Sequence, residues 1–436
     1  MNKLQTILND ALGRRTAIAR SGTMMSESRS DAYGYNTRSE LISAAKNGVD
    51  EYAYQYDDIG NRESSVEPDN AFSYTSNELN QYDAITSQTS LSSVALAEED
   101  QTFAPHYDLD GNQTLVKTKT GIWSVTYNGE NRPILWTCGA TNIVMKFDRM
   151  GRRVEYIERE GETTLKHQKF VYDGYRCIQR LNGSSNAVTD LFEWDPTEPV
   201  ATRPLYWQHR TSSDNYSLFY THDGNKNVSE VVFYQRARGV AAHYEYAPFG
   251  EVMSATGHLG FLNPFRFSSE YHDEVLGLVY YNYRHYNPRY ARWLSRDRIE
   301  ERGGLSLLGT MRNDLIARYD RNGDSLLLAF TVSAIAIIVN HYLCDWYAEK
   351  DLDGTDAYKH CMVSCRYRGC NAILYGELGS TIITIVGGMV HELISQGNTI
   401  EGAIDDIKSN LIGVVASFSD KTCEEGCECE KGKWNR

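Results

Sequence analysis

The last quarter of the chain holds the side chains that could activate a water molecule. A histidine close to a carboxylate can take a proton from water in a hydrolase site, and the plausible catalytic set is His360, His391, Glu392, Asp405 and Asp406. His391 and Glu392 lack the second histidine of a zinc-protease helix. This region contains no nucleotide-binding loop, nucleophile elbow or catalytic-cysteine signature. A small helical domain with capping acids and a buried histidine is the alternative interpretation.

Cysteines are concentrated in the same region. Seven of the nine lie between Cys344 and Cys429, and a helix predicted over 357–367 would carry Cys361 and Cys365 on one face. Three interpretations stay open: disulfides that tie this helix to the chain end, a zinc site completed by His360, and inert buried thiols. The candidates for disulfide or metal binding are Cys361, Cys365, Cys370, Cys423, Cys427 and Cys429. No cofactor is predicted.

The elements that would position these residues are helical. Ser325–Leu343 is a run of nineteen uncharged residues, which is long enough to span a membrane. A buried helix is the alternative for this segment. Further helices are predicted over 378–394 and 399–418, so residues 324–436 are expected to form a small, mostly α-helical tail domain.

The charge balance limits the function classes. The chain has a net charge of −14, and residues 324–436 hold nine basic against sixteen acidic residues. Phosphate binding requires clustered lysine and arginine, so we expect neither a general nucleic-acid binder nor a nuclease. The first twenty residues have no continuous apolar stretch, and no secretory signal is predicted.

Residues 1 to about 260 are built from a repeated unit. The unit is an aromatic residue, any residue, Tyr, Asp or Asn, two residues, Gly, then Asn or Arg. The best copies begin at Tyr54, His106, Thr126 and Lys146, and weaker copies begin at Tyr33, Phe72, Val171 and Tyr220. Alternating aromatic and β-branched residues predict half-buried strands, and the 30 tyrosines against 13 phenylalanines suit strands with one wet face. We therefore predict strand–turn–strand units stacked into a long sheet.

The turns and loops of this region can also be predicted. Asp110-Gly111 and Asp223-Gly224 should supply the positive φ that a tight hairpin turn needs. Ser87–Gln101 and Glu198–Asp214 contain serine or proline and are expected to be surface loops.

The block from Asn263 to Gly323 is dense in aromatic and basic residues. It begins N-P-F-R-F-S-S-E-Y-H-D-E-V-L-G-L-V-Y-Y-N-Y-R-H-Y-N-P-R-Y-A-R-W-L-S-R-D. Leu278–Arg284 alternates like a strand, and Asn287-Pro288 predicts the turn after it. This block resembles the core that closes proteins of the rearrangement-hotspot (RHS), or YD-repeat, family.

The resemblance implies a mainly β fold in three parts. Residues 1–243 would form a hollow, cocoon-like shell of YD-repeat hairpins, residues 244–323 the RHS core that closes it, and residues 324–436 a variable tail. The resemblance also implies a self-cleavage site. In many relatives two Asp-Pro-x-Gly motifs form an aspartyl-protease-like pair that cuts the tail free, and two carboxylates that share a proton suit that chemistry.

The matching positions here are Ser295-Arg296-Asp297-Arg298-Ile299-Glu300 and Tyr319-Asp320-Arg321-Asn322-Gly323. Asp297, Asp320 and Arg296 are therefore the candidate catalytic residues. Arg298 and Arg321 stand where the family has prolines, so the rigid φ of proline is lost, and we expect only full-length protein. Salt-bridged surface acids are the alternative interpretation of Asp297 and Asp320.

The resemblance implies a polymorphic-toxin-like or cell-surface protein whose shell encloses or presents the tail in contact with neighbouring cells. Its partners would be its own enclosed tail and an immunity protein, with no nucleic acid. It would be secreted or at the cell surface without a signal peptide. The alternatives are an adhesion module tethered to a membrane through Ser325–Leu343, and an inactive truncated relic.

Overall fold

The computed structural model describes residues 4–22, 28–68, 70–87, 102–197, 203–235, 238–303, 306–318, 320 and 323. The chain divides into two units, Met1–Leu328 and Ala329–Arg436. The second unit lies outside the described residues. The predicted tail helices, including Ser325–Leu343, lie outside them as well. The boundaries at 243/244 and 323/324 stay predictions.

The described part of the chain is mainly β and forms three antiparallel sheets. The first sheet contains β1 (Leu4–Asn9), β2 (Arg15–Ser21), β3 (Arg29–Tyr35), β4 (Leu41–Lys46), β5 (Val49–Tyr56), β6 (Arg62–Glu67), β7 (Asn70–Ser76), β8 (Tyr82–Ser87) and β9 (Thr102–Phe103). The second contains β10 (His106–Tyr107), β11 (Gln113–Lys117), β12 (Ile122–Tyr127), β13 (Pro133–Cys138), β14 (Thr141–Phe147), β15 (Arg153–Glu160), β16 (Thr163–Asp173), β17 (Arg176–Asn182), β18 (Val188–Trp194), β19 (Pro204–Arg210), β20 (Asn215–His222), β21 (Val228–Phe233), β22 (Val240–Tyr246) and β23 (Val252–Thr256). The third contains β24 (Tyr271–Asp273), β25 (Leu278–Tyr280), β26 (His285–Asn287) and β27 (Arg292–Trp293).

Each strand pairs with the strand that follows it in the chain, so the sheets are rows of consecutive hairpins. This confirms the predicted strand–turn–strand unit. Helical geometry in the described residues is confined to three short 3-10 turns, Phe267–Ser269, Glu300–Gly303 and Met311–Asn313.

The Asp or Asn of the repeat closes its turn. Asp57 Oδ1 accepts hydrogen bonds from the backbone N–H groups of Ile59 at 3.0 Å and Asn61 at 2.8 Å. Seven further turns have the same pair of bonds, at Asp10, Asn36, Asn77, Asp108, Asn128, Asp148 and Asp223. A short carboxylate or amide side chain satisfies turn N–H groups that would otherwise lack a partner, which explains the residue type at this position.

The Tyr of the repeat joins one hairpin to the previous one. Its hydroxyl donates to the carbonyl of the first residue after the preceding turn: Tyr56 to Leu41 at 2.8 Å and Tyr127 to Gln113 at 3.0 Å. Tyr35, Tyr172 and Tyr246 make the same bond to Arg15, Arg153 and Val228. Each repeat is thus bonded side chain to backbone as well as through the strand ladder.

Two turn and loop predictions need correction. At Asp223-Gly224 the residue with positive φ is Lys226, at +64°. Gly224 is needed for another reason, since a Cβ there would overlap the side chain of Ile7. The predicted loop Glu198–Asp214 is wrong over Pro204–Arg210, which forms β19 with Trp207 fully buried. Aromatic residues on alternating positions outweighed the proline, which is tolerated as the first residue of a strand.

The core block packs on the repeat turns. Backbone N–H groups just after two turns, on Gln113 and Val228, donate to Leu294 O at 2.8 Å and Arg266 O at 2.9 Å. The predicted strand Leu278–Arg284 is shorter than expected: β25 ends at Tyr280, and Tyr281 and Arg284 close a tight turn by exchanging backbone hydrogen bonds of 3.0 and 3.1 Å. That turn brings Arg284 into the interior.

In the described ranges, no helix has the length and apolarity to cross a membrane.

Candidate functional site

The two candidate aspartates are buried in the core block. Asp297 follows β27 by four residues and is 8% exposed, and Asp320 is 3% exposed. The loop of Asp297 is held by its N–H bond to Leu307 O at 3.0 Å. Asp297 Oδ1 also accepts from Ile299 N at 3.0 Å. The interpretation of these residues as surface acids is therefore wrong, because the core block covers both carboxylates.

Arg284 joins the two acids. Its Nη2 donates to Asp297 Oδ2 at 2.8 Å and lies 3.8 Å from Asp320 Oδ2. The guanidinium carbon is 4.2 Å from the ring centre of Trp293, so the cation is stacked as well as ion-paired. Buried charges are stable only when paired and hydrogen-bonded. The side chain, 2% exposed, therefore holds both carboxylates around one nitrogen.

Gly323 completes the site. Its N–H donates to Asp320 Oδ1 at 2.8 Å, and its carbonyl oxygen accepts from Arg284 Nε. Gly323 has a φ of +83°, and a Cβ there would lie 3.1 Å from the Cβ of Tyr281. Both the backbone conformation and the close approach require glycine. One arginine thus binds two carboxylates and one peptide carbonyl.

A third carboxyl group, that of Glu270, lies near this set. Glu270 is 8% exposed. Burial raises its pKa well above the usual range, and the negative charge of Asp320 raises the pKa further. Burial also raises the pKa of Tyr281, which is raised further by the charge of Glu270. Glu270, Tyr281 and Asp320 are therefore mutual neighbours.

Arg296, the third predicted site residue, has a different position. Its side chain packs on the turn at Gly111, where a Cβ would overlap it. The neighbouring Arg298, which replaces a family proline, lies with its guanidinium carbon 4.0 Å from the ring centre of Tyr283. The arginine that contacts both acids is Arg284, and the catalytic role of all these residues stays a prediction.

The analysis of the sequence missed Arg284 and Glu270. Both lie among aromatic residues that were interpreted as packing, and a charged residue inside such a run is itself a signal, since arginine and glutamate are almost never fully buried unless paired.

The tail candidates lie outside the described residues. These are His360, His391, Glu392, Asp406, Cys361, Cys365, Cys370, Cys423, Cys427 and Cys429. Their grouping into a hydrolase, disulfide or zinc site stays a prediction.

Comparisons with known proteins bear on the fold. No family model matches the chain. The chain is similar to YlbH of Escherichia coli (strain K12), with 29% identity over 140 residues that cover 29% of this chain and 56% of YlbH. It is also similar to double-stranded DNA deaminase toxin A of Burkholderia cenocepacia (strain H111), with 23% identity over 201 residues that cover 42% of this chain and 14% of the toxin. The chain therefore spans about half of the first relative and a small part of the second.

Among solved structures, the chain is similar to the TcdB2-TccC3 crystal structure. The TM-score is 0.50 at 15% identity, and the match covers 74% of this chain and 19% of that one. At this identity the likeness establishes the fold: a mainly β architecture of the kind present in TcdB2-TccC3.

Proposed function

We propose that this chain is an RHS-type toxin carrier that cuts its own backbone after Gly323 and so separates the tail 324–436 from the β-rich part. The fold likeness to TcdB2-TccC3 and the sequence likeness to a deaminase toxin support the toxin class. The contact that carries the proposal is that of Arg284, which binds Asp297, Asp320 and the carbonyl of Gly323 together.

The geometry suits peptide hydrolysis. A carboxylate of the pair can take a proton from a water molecule as its oxygen attacks the carbonyl carbon of Gly323. Negative charge then develops on the carbonyl oxygen, where the Arg284 guanidinium is already positioned as a donor. The carbon–nitrogen bond to Asp324 breaks when the leaving nitrogen receives a proton. Asp320 also fixes the peptide through the N–H of Gly323.

The lost prolines can be replaced by other contacts. The Asp297 loop has the bonds to Leu307 and Ile299 described above, and Arg298 stacks on Tyr283. These contacts restrict the loop as the ring of proline would. We therefore propose cleavage, although the proline substitutions alone predict only full-length protein.

The test is the intact mass of the purified full-length chain. We expect two fragments, 1–323 and 324–436, and full-length protein for Asp297→Asn and Asp320→Asn. Asp314→Asn is the matched control, because Asp314 is a buried acid of the same block, 1% exposed, that does not contact Arg284 or Gly323. If the shell encloses the tail, the two fragments should co-elute in native buffer and separate in denaturant.

A folded wild-type chain that stays full-length would contradict the proposal and would agree with the expectation from the proline substitutions. Cleavage that persists in both Asn variants would show that the acid pair is not responsible.

A further inference from the structure

We infer that Glu270 holds the proton that the leaving nitrogen takes up in this cleavage, so that the working pair of carboxyls is Asp320 and Glu270. The inference rests on the proposed self-cleavage and assigns a role to a residue outside both acidic motifs.

The backbone presents Glu270 in a constrained way. The two residues before it, Ser268 and Ser269, both have positive φ, +56° and +61°. Neither is glycine, so this conformation is unfavourable and needs support from its surroundings. Ser268 N donates to Asn227 Oδ1 at 2.7 Å, and Ser269 Oγ donates to Lys226 O at 2.6 Å. A repeat turn thus fixes the backbone that carries the carboxyl.

The neighbours of Glu270 place it at the reacting peptide. Tyr281 is adjacent to Glu270 and is also the side chain against which Gly323 packs. Asp320, which binds Gly323 N, is the other charged group that acts on Glu270. Glu270, Tyr281, Asp320 and Gly323 therefore form one cluster.

Charge separates the roles of the carboxyls. Arg284 lies within 3.8 Å of both Asp297 and Asp320 and favours their ionised forms. Within the described residues, no cation lowers the pKa of Glu270, and burial raises it well above the usual range. When two nearby carboxyls compete, the proton stays on the one whose ionised form is less stabilised. That carboxyl is Glu270.

The step balances as follows. Asp320 takes one proton from the attacking water, and the new carbon–oxygen bond forms at Gly323. The carbon–nitrogen bond to Asp324 breaks, and the Glu270 proton passes to the leaving nitrogen. Glu270 ends ionised, Asp320 ends protonated, and solvent exchange resets both groups.

The test follows cleavage of the full-length chain made by cell-free translation, sampled over time at several pH values. Glu270→Gln should slow the appearance of the 1–323 fragment by about 100-fold or more, the usual size of a general-acid effect. In the wild type the rate should fall at high pH, as Glu270 loses its proton, and this fall should be absent in Glu270→Gln. Glu270→Asp keeps a carboxyl and should cut faster than Glu270→Gln.

Glu67→Gln is the matched control. Burial raises the pKa of Glu67 to about 7, but Glu67 has no contact with the cleavage site, so its variant should cut at the wild-type rate. Unchanged cleavage and an unchanged pH profile in Glu270→Gln would overturn the inference, as would equal rates for the Asp and Gln variants. A wild type that does not cut at all would overturn the proposed function, and this inference with it.

Discussion

Individual charged residues in this fold are stabilised by partners far away in sequence. Arg284 lies 13 residues before Asp297 and 39 before Gly323. His243 lies between two glutamates, with Nδ1 3.1 Å from Glu230 Oε1 and Nε2 3.0 Å from Glu245 Oε1. The hydrogen bond to Glu230, followed by that to Glu245, raises the pKa of His243 to about 9.

This shift makes a pH prediction at the residue scale. The pKa of His243 is higher in the folded state, so its contribution to stability is fully present below about pH 6.5 and is lost as pH rises through about 9. The stability advantage of the wild type over His243→Gln should therefore shrink between these values, as measured by urea unfolding at each pH. A difference that stays constant from pH 6 to 10 would contradict the prediction.

At the scale of elements, sequence patterns were sufficient wherever the determinants are local. Asp57 closes its turn by bonds to residues two and four positions away, so the repeat motif contains all the information that the turn needs. The site depends on contacts that no local pattern encodes. Glu270 and Arg284 acquire their roles only when the core block folds on itself, and Gly224 is required because Ile7, more than two hundred residues earlier, packs against it.

The tyrosine bonds between hairpins give the prediction at this scale. Tyr127→Phe removes the hydroxyl that donates to Gln113 O at 3.0 Å, and should lower the free energy of unfolding by about 1 kcal/mol. Tyr234→Phe is the matched control, because Tyr234 is 67% exposed and its hydroxyl faces water. Chemical denaturation measures both variants. Equal losses for the two would indicate that the repeat tyrosines act through ring packing alone.

At the scale of the whole described β region, the first strands contact the last repeats through side chains. Arg15 Nη2 donates to Gly224 O at 2.6 Å, Gln5 Oε1 accepts from Gly224 N at 2.8 Å, and Arg29 pairs with Glu245. We call this contact the polar seam. In the described residues, no strand of the first sheet pairs with a strand of the second. The seam therefore depends on charge and on a few hydrogen bonds.

Salt should weaken the polar seam selectively. At about 1 M salt the screening length falls to about 3 Å, and amide hydrogen exchange in β1–β3 should become faster while β14–β17 stay unchanged. Arg29→Gln should produce the same increase at low salt. Exchange that is insensitive to salt, or that rises equally in every strand, would show that the first strands are held by other forces.

The docking of the core block on the repeat turns has a consequence for timing. Arg292 Nη2 donates to Asn61 Oδ1 at 2.8 Å, and Asn313 Nδ2 donates to Gly60 O at 2.8 Å. A ribosome delivers the repeats first and the core block after them. The proposed cut would then wait for a finished scaffold, and the separation of the two fragments would serve the cell as a checkpoint that only a completely folded chain can pass.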